Sequence, residues 1–423
     1  MEKPLTLYID PASTPLTFKE YSKKGGYEGV RKALKEMTPA EVTEKVKKAN
    51  LKGRGGAGFS AGMKWSFINM NESAKPKYLL CNADEMEPGS FKDRYLLEGN
   101  PHQLIAGMII AAYAIQAETA YIYMRWAYKK AEKHINKALE ETYEAGLLGK
   151  NILGSGFSLD IHLHMSAGRY ICGDDVAMIN AMEGRRAIPH AKPPSSVVSG
   201  LFGRPTVTNN VETLSWIDHI IHRGAKWFRA LSLTDEGGTK LYGVSGRVKN
   251  PGLWELPMGT TMREILSEHA GGMAKGRKFR GLLPGGASSD FLIDDHMDMP
   301  MDFETVAKAG SRLGTGTLIV LDDGTCPVAF IRNLENFFAL ESCGWCTPCR
   351  EGLPWTEKLL GAIDEGKGKM EDIERLKNHA RFLGPGHTFC ALAPGAAEPL
   401  QSGLKYYYDD FVKHIEEKKC PWK

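Results

Sequence analysis

The apolar positions change period several times along the chain, and each change predicts an element. Residues 5–9 read as a short strand, followed by a polar lead-in to about residue 37. Thr38-Pro39-Ala40-Glu41 is a helix start, with Thr38 as N-cap, Pro39 at the first helical position and Glu41 placed to close a capping box. This helix runs to about Leu51 and meets a glycine cluster, Gly53 to Gly62. Residues 77–81 read as a buried strand and 82–89 as an acidic loop. Residues 101–113 form an apolar helix, 120–124 a strand and 126–143 a long amphipathic helix, and 157–165 alternate as a strand does. Strands alternating with helices predict an α/β layered domain with a largely parallel sheet.

Near residues 233–239 the texture changes. Residues 241–248 are strand-like, the turn Asn250-Pro251-Gly252 follows, and a second strand covers 253–256. After Pro257-Met258-Gly259-Thr260-Thr261 a helix runs to His269 and ends at Gly271-Gly272. Residues 279–283 and 317–321 are two more strands, completing a small α+β unit of about ninety residues. From about Val328 the remainder is helical apart from a cysteine loop. A chain of 423 residues at ~150 residues per domain makes about three domains. They are placed at 1–235, 236–325 and 326–423.

Charge removes some function classes. Lys+Arg 54 against Asp+Glu 51 leaves +3, too balanced for a nucleic-acid binder driven by counterion release. The longest apolar run, residues 104–115, contains Gly107 and falls short of the ~20 residues a membrane span needs. The N-terminus carries no basic-then-apolar signal pattern, so a cytoplasmic location is expected, with any membrane attachment made through another protein. Eight cysteines in a chain this long do not suggest a disulfide scaffold.

Four segments carry candidate chemistry. Gly53-Arg54-Gly55-Gly56-Ala57-Gly58 satisfies G-x-G-x-x-G, but a helix rather than a strand precedes it. Glycines allow close backbone approach to an anion, and Arg54 and Lys64 add cationic donors; a glycine-rich surface turn is the plainer reading. Asn82-Ala83-Asp84-Glu85-Met86-Glu87 follows an apolar strand, where ligands of α/β sheets bind, although an acidic surface turn has the same composition. In the segment 166–186, Tyr170 can stack on a flat ring. Asp174 and Asp175 follow Gly173 at a helix start, where they either meet a ligand or simply cap the helix. Asn209-Asn210-Val211-Glu212-Thr213 offers side-chain amides for a ring's carbonyl edge, or a turn.

The strongest signal is Cys343-Gly344-Trp345-Cys346-Thr347-Pro348-Cys349. Three thiolates at C-x2-C-x2-C converge on one soft centre, with Cys390 as the leading fourth ligand. An iron–sulfur cluster takes four cysteines in this way. Zinc is the runner-up, with His387 as a conceivable ligand, but no second C-x2-C pair stands near Cys390. Cys81, Cys172, Cys326 and Cys420 read as plain buried or terminal thiols.

Over roughly residues 40–400 the chain resembles the flavin-bearing, NADH-oxidising subunits of respiratory complex I. The resemblance rests on GRGGAG with a following KW at 53–65, NADExEPGxFKDR at 82–94, AGRYICG with an acidic pair at 167–175, NNVET at 209–213, and ESCGxCxPCRxG at 341–352. It implies a Rossmann-like flavin domain, a ubiquitin-like β-grasp domain and a C-terminal helical bundle carrying a [4Fe–4S] cluster. By motif matching, flavin mononucleotide (FMN) contacts would be Gly53, Arg54, Gly55, Lys64, Asn82, Asp84, Glu85, Tyr170, Gly173, Asp174, Thr208, Asn209, Asn210 and Thr213. NADH contacts would include Gly56, Ala57, Phe59, Phe67, Glu87, Asp175 and Lys192, with Glu87 near the nicotinamide. Cluster ligands would be Cys343, Cys346, Cys349 and Cys390.

Three departures from the family pattern stand out. Phe59-Ser60-Ala61-Gly62 lacks a customary proline, Asp174-Asp175 replaces a more usual Glu pair, and Ser195 stands where an adenine-stacking aromatic is common. The implied chemistry is hydride transfer from NADH to the flavin and single-electron delivery to the cluster, with no general base. It calls for a thioredoxin-like partner subunit bearing a [2Fe–2S] cluster, further iron–sulfur subunits, and peripheral attachment to the inner face of the cell membrane. One rival is a diaphorase subunit of a soluble NAD-linked hydrogenase or formate dehydrogenase; the lack of extra cluster modules at either end argues against it. A rival of another class is a zinc-stabilised binding module.

Overall fold

The computed structural model describes residues 2–71 and 74–422. Helices α1 (Phe18–Lys23), α2 (Glu28–Glu36), α3 (Pro39–Ala49) and α4 (Ala61–Ser66) lead into β1 (Tyr78–Ala83). Then come α5 (Lys92–Gly99), α6 (Pro101–Ile115), β2 (Thr119–Met124), α7 (Lys129–Glu144), β3 (Asp160–Met165), α8 (Asp175–Met182) and β4 (Thr206–Asn210). The strands form one sheet in the order β3-β2-β1-β4, and every pairing is parallel. Short helices α9 (Val211–Ser215), α10 (Ile217–Arg223) and α11 (Ala225–Ala230) complete this α/β unit.

Helix α6 explains the longest apolar run. Residues on every side of it are buried, as expected of a helix hydrophobic all round that packs inside a protein. Gly107 lets the backbone of Leu214 approach so closely that an added Cβ would lie 1.8 Å from its carbonyl oxygen. Among the described residues no helix is long and apolar enough to cross a membrane. The predicted capping box on α3 is present: Thr38 accepts the Glu41 amide, and Glu41 returns to the Thr38 amide at 2.7 Å.

The expected strand over residues 5–9 is a run of turns. Leu5 is buried as a plug, and the Glu255 carboxylate accepts the amides of Leu5 at 3.1 Å and Thr6 at 2.8 Å, so these donors are satisfied without a ladder. The polar lead-in holds α1 and α2 instead. Glycines and lysines between them hide the apolar positions, but Thr17 and Glu20 close a capping box on α1.

The second unit contains β5 (Thr239–Gly246), β6 (Gly252–Pro257), α12 (Met262–Glu264, continued by a π turn at Ile265–His269), β7 (Phe279–Leu283), α13 (Phe303–Lys308) and β8 (Thr317–Asp322). Its sheet runs β6-β5-β8-β7, with β5 and β8 parallel and the outer pairings antiparallel. Five helices follow: α14 (Pro327–Glu341), α15 (Thr347–Asp364), α16 (Met370–Leu383), α17 (Leu392–Tyr406) and α18 (Tyr408–Glu416). They share an apolar core that includes Ile331, Leu353, Leu376, Leu400 and Phe411.

Candidate cofactor site

The glycine segment is a tight turn closed on itself. Gly53 N–H donates to the Phe59 carbonyl at 2.8 Å, and Ala61 N–H donates to Leu51. Gly56 has φ 133°, and a Cβ there would project into open space. Ser60, standing where a proline is customary, caps α4 by accepting the Met63 amide. Lys64, in the last turn of α4, donates to the Thr208 carbonyl at 3.0 Å, and burial lowers its pKa. Phe59 and Phe67 are about half exposed, and their rings meet at 6.1 Å on the surface beside this turn.

Arg54 departs from expectation. Its side chain is fully buried, and its guanidinium donates to the Gly237 and Thr239 carbonyls at 2.7 and 3.2 Å. It ties the first unit to the second. Its backbone amide donates to the Thr213 hydroxyl at 2.8 Å, so Thr213 anchors the turn. Asn209 is likewise an anchor, accepting the Trp65 indole N–H at 2.8 Å.

The acidic loop leaves the carboxyl end of β1. Asn82 donates to the Gly173 carbonyl at 2.9 Å, joining this loop to the 170–175 segment. Asp84 accepts the Ser166 hydroxyl at 2.6 Å, and its Oδ2 is buried without a hydrogen-bond partner among the described residues. Burial pushes this carboxyl up to about 6. Glu85 is occupied locally: it accepts the Asp93 and Arg94 amides at 3.1 and 3.0 Å, capping α5, together with the Ser90 and Tyr128 hydroxyls. Glu87 accepts the Tyr170 hydroxyl and the Ser288 amide, each at 2.7 Å.

Tyr170 does not present a free face on every side. Its ring meets Phe337 and Phe338 edge-on, at 5.2 and 6.0 Å. Asp174 is the N-cap of α8, accepting the Val176 and Ala177 amides at 3.0 and 3.1 Å. Asp175 is paired with Lys192 and with the Ser196 hydroxyl, both at 2.8 Å. Ser195 is part of a turn, its carbonyl accepting the Val198 and Ser199 amides.

These segments enclose a cavity of about 360 Å³, within the range of small-molecule sites. Gly55, Gly56, Ala57, Asn82, Asp84, Glu85, Glu87, Tyr170, Gly173, Asp174, Asp175 and Asn210 line it, and so does Cys390. The glycine wall admits a close ligand. Asp84 Oδ2 and Arg312 Nη2 are buried polar atoms without partners among the described residues, on two residues that line the cavity. Such groups carry a penalty of about 1–3 kcal/mol until satisfied. A ligand with hydroxyls and a phosphate fits this set.

Several lining residues stand outside the motif-matched positions. Lys92 lies 2.7 Å from Asp93 and 3.1 Å from Glu212, all three buried. Lys240 completes the group at 3.5 Å from Glu212, and burial pushes its pKa down to about 7. Glu212 also accepts the Leu241 amide at 2.9 Å, so this charge cluster joins helices α5 and α9 of the first unit to β5 of the second. Lys92 and Asp93 belong to the NADExEPGxFKDR motif, where the carboxylates before them are the more conspicuous chemistry. Arg312 and Thr315 stand in a glycine-spaced stretch, Gly310 to Gly316, that matches none of the motifs.

The cysteine loop connects α14 to α15. Cys349 is buried, Cys343, Cys346 and Cys390 are half-buried, and all are free thiols. Burial pushes Cys349 up to about 11, with Cys343 and Cys346 adding repulsion. It pushes Cys390 up to about 12, with Asp174, Cys343 and Cys349 contributing. All four pack in or against the same apolar core of the helical unit, and a bound metal centre would hold these thiols as thiolates. Phe389 N–H donates to Cys346 Sγ at 3.4 Å. His387 packs against Phe382 instead. This all-sulfur donor set fits an iron–sulfur cluster.

Comparison with known proteins agrees with this geometry. The Nuo51 FMN-binding domain matches residues 46–219, the NADH-ubiquinone oxidoreductase-F iron-sulfur binding region matches 329–414, and the SLBB domain matches 241–289. The F subunit of NADH-quinone oxidoreductase from Salmonella typhimurium (strain LT2) is 54% identical over 414 residues, covering 98% of this chain and 93% of that protein. The Escherichia coli (strain K12) protein of the same name matches equally well, at 54% over 414 residues. The chain belongs to the family of NADH-quinone oxidoreductase F subunits.

As a member of that family, it oxidises NADH through FMN, passes electrons to a [4Fe–4S] cluster, and is part of a multi-subunit oxidoreductase. A chain of an NAD+-reducing [NiFe]-hydrogenase in the H2-reduced state superimposes with a TM-score of 0.85 at 32% identity, covering 99% of this chain and 67% of that one. The fold is therefore shared with the rival hydrogenase class. The higher identity over nearly the whole chain places it with the NADH-quinone oxidoreductases.

Proposed function

We propose that the cavity between the glycine turn, the end of β1 and the cysteine loop holds FMN and receives the nicotinamide, with Cys343, Cys346, Cys349 and Cys390 as ligands of the adjacent [4Fe–4S] cluster. The observation that carries this reading is that Cys390 lines the same cavity as Gly55, Gly56 and Asn82. A flavin there is next to a cluster ligand, so electrons need cross no long stretch of protein. When bound, the flavin supplies a hydride acceptor that can return electrons singly.

The chain's own groups divide the work. Gly55 and Gly56 admit the phosphate end, with Lys64 in the following helix as the nearby cation. Asn82, Asp84 and Asn210 meet polar edges of the flavin. Glu87 and Tyr170 border the nicotinamide, while Phe59 and Phe67 offer exposed rings to the nucleotide's far end. Gly53, Arg54, Glu85, Thr208, Asn209 and Thr213 act by holding these segments in place, and Gly173 and Asp174 shape the wall opposite. Asp175 and Lys192 form the adenosine end together with Ala57.

The second sheet, with its parallel β5 and β8 and a helix packed on it, supports a ubiquitin-like β-grasp reading for residues 236–325. We place the flavin domain at 1–235, with a Rossmann-like character, and the helical iron–sulfur domain at 326–423. A thioredoxin-like [2Fe–2S] subunit and further iron–sulfur subunits are the next acceptors toward quinone, and the assembly sits on the cytoplasmic face of the cell membrane. The physical motive is that a flavin beside one cluster needs a downstream acceptor, or it loses electrons to oxygen. Co-expression with neighbouring subunits, followed by size-exclusion chromatography and an NADH:ferricyanide assay, tests this. Co-elution of an active, yellow-brown complex is expected. A monomer that is fully active and indifferent to every neighbour contradicts the subunit reading, and a colourless protein contradicts both cofactors.

A further inference from the structure

Away from the cysteine loop, a second group of metal-ligating side chains converges where the C-terminal segment folds back on the helices. Cys326, Asp364, His414 and Cys420 are all buried, and one potential ligand atom from each lies within 4.8 Å of all the others. They come from four different places in the chain. Cys326 is the N-cap of α14, Asp364 is the last residue of α15, His414 lies in the last turn of α18, and Cys420 is in the tail beyond it. Cys326 and Cys343 lie at opposite ends of the fifteen-residue α14. At 1.5 Å per residue this separates the group from the cysteine loop by about 22 Å, so the two sets cannot share one centre.

We propose that Cys326, Asp364, His414 and Cys420 form a tetrahedral site for Zn2+ that fastens the C-terminal tail to the iron–sulfur domain.

The donor set is two soft thiolates, one imidazole and one carboxylate, all of which zinc accepts. The histidine is oriented for the role. Its Nδ1 lies 2.6 Å from the Asp410 carbonyl, a contact that requires the proton on Nδ1 and turns the Nε2 lone pair inward. Nε2 is 3.2 Å from Cys326 Sγ. The Nδ1 bond to the Asp410 carbonyl is the outer-shell contact that fixes tautomer and ring angle in zinc-bound histidines. Trp422 stacks on the imidazole at 5.8 Å with planes 16° apart and donates from its indole to the Asp323 carbonyl at 3.1 Å. The ring is therefore held from the other face.

Cys326 Sγ accepts the Ala329 amide at 3.4 Å at the start of α14, an outer-shell hydrogen bond that fixes the direction of the sulfur. Arg332 approaches Asp364 Oδ2 at 3.4 Å. An outer-shell cation on a ligating carboxylate is a usual arrangement and offsets part of the charge of three anionic ligands. In a zinc tetrahedron with bonds of about 2.0–2.3 Å, ligand atoms stand roughly 3.3–3.8 Å apart. The group needs only small inward adjustments to reach that geometry.

The test uses the full-length, untagged chain with its FMN and cluster in place, expressed with both iron and Zn2+ supplied. About one zinc per chain is expected beside the cluster iron. X-ray absorption at the zinc edge, which iron and flavin do not obscure, should show two sulfurs near 2.3 Å and two nitrogen or oxygen ligands near 2.0 Å. Cys420→Ser and His414→Ala should each lower zinc occupancy at least tenfold while leaving iron and flavin content unchanged. The wild-type spectrum decides the ligand set even if a variant folds poorly. Wild-type protein with no zinc, both as purified and after incubation of the reduced protein with Zn2+, overturns the proposal. So does a zinc spectrum without sulfur, or a Cys326–Cys420 disulfide found by mass spectrometry in freshly purified protein.

Discussion

The Tyr170 hydroxyl donates to Glu87 Oε2 at 2.7 Å, while the other oxygen of Glu87 accepts the Ser288 amide. One carboxylate therefore joins the acidic loop, the 170–175 segment and the second sheet's unit at the cavity wall. Burial raises the Glu87 pKa, and the tyrosine hydroxyl is among the groups that hold it down. Tyr170→Phe removes a hydrogen bond of about 0.5–1.5 kcal/mol. We expect a roughly 2–10-fold rise in the Michaelis constant for NADH and an upward shift of the acid limb in the kcat/KM profile. Flavin content should hold. Steady-state kinetics across pH 5 to 9 check this, and an unmoved constant with an unmoved profile contradicts it.

Cys346→Ser should abolish the cluster and leave FMN bound. The thiol belongs to the loop between α14 and α15, whereas the glycine turn and acidic loop belong to the first unit. Iron analysis and flavin fluorescence after acid release are the measurements. Full iron occupancy in the variant contradicts the ligand assignment.

Much of this site was legible in the sequence because motif and geometry coincide there. The capping box at Thr38, the strand ending at Ala83 and the three grouped cysteines are local patterns, and local patterns survive folding unchanged. Arg54 and Glu85 show the opposite case. Both stand in conspicuous motifs, yet one reaches Gly237 and Thr239 and the other caps α5 eight residues on. No spacing rule says which way a side chain turns. The strand expected at residues 5–9 failed for a related reason, since its amides are satisfied by Glu255, 250 residues away. Arg312 and Lys92 reach the cavity only through tertiary packing, and the second cysteine group is invisible until α18 folds back beside Cys326.

Lys64→Ala should loosen FMN. The ammonium now donates to the Thr208 carbonyl, and a bound phosphate or ring carbonyl would gain a charge-assisted bond of about 1.5–3 kcal/mol. Flavin dissociation should rise about 10–100-fold, measured by fluorescence on dilution. Lys64→Arg should restore part of the affinity, a recovery that loss of packing alone would not produce. Unchanged flavin retention together with an unchanged Michaelis constant for NADH contradicts the assignment.

Asp84 makes the flavin-free protein sensitive to mild acid in a particular direction. Its folded pKa of about 6 lies above the ordinary 3.8 because burial disfavours the charge. Between those values the folded state holds a proton that the unfolded chain has released, so stability falls as pH rises through that window. The full contribution is up to about 3 kcal/mol at 1.36 kcal/mol per unit. Asp84→Asn should flatten this part of the stability profile. Urea unfolding of flavin-stripped protein at pH 4, 5, 6 and 7 measures it, and an equal slope in both proteins removes Asp84 as the cause.

Asp175 sets nucleotide choice if its neighbourhood receives the adenosine ribose. One of its oxygens takes Lys192 and the other Ser196, each at 2.8 Å. Burial opposes its charge, but the bond and charge of Lys192, with Ser196, hold the carboxyl below its usual pKa. An ionised carboxylate repels a 2′-phosphate and accepts from a 2′-hydroxyl. Asp175→Asn removes the repulsion and also releases Lys192 from its anion, leaving that ammonium available to a 2′-phosphate. The ratio of kcat/KM for NADPH to that for NADH should therefore rise. The gain should shrink as salt is added, because Lys192 is half exposed and its attraction is screened. Asp175→Asn combined with Lys192→Ala should lose most of the gain, separating the new attraction from the lost repulsion. A ratio that stays put in the single variant shows that this carboxylate faces away from the ribose and serves only to hold the 192–196 turn against α8.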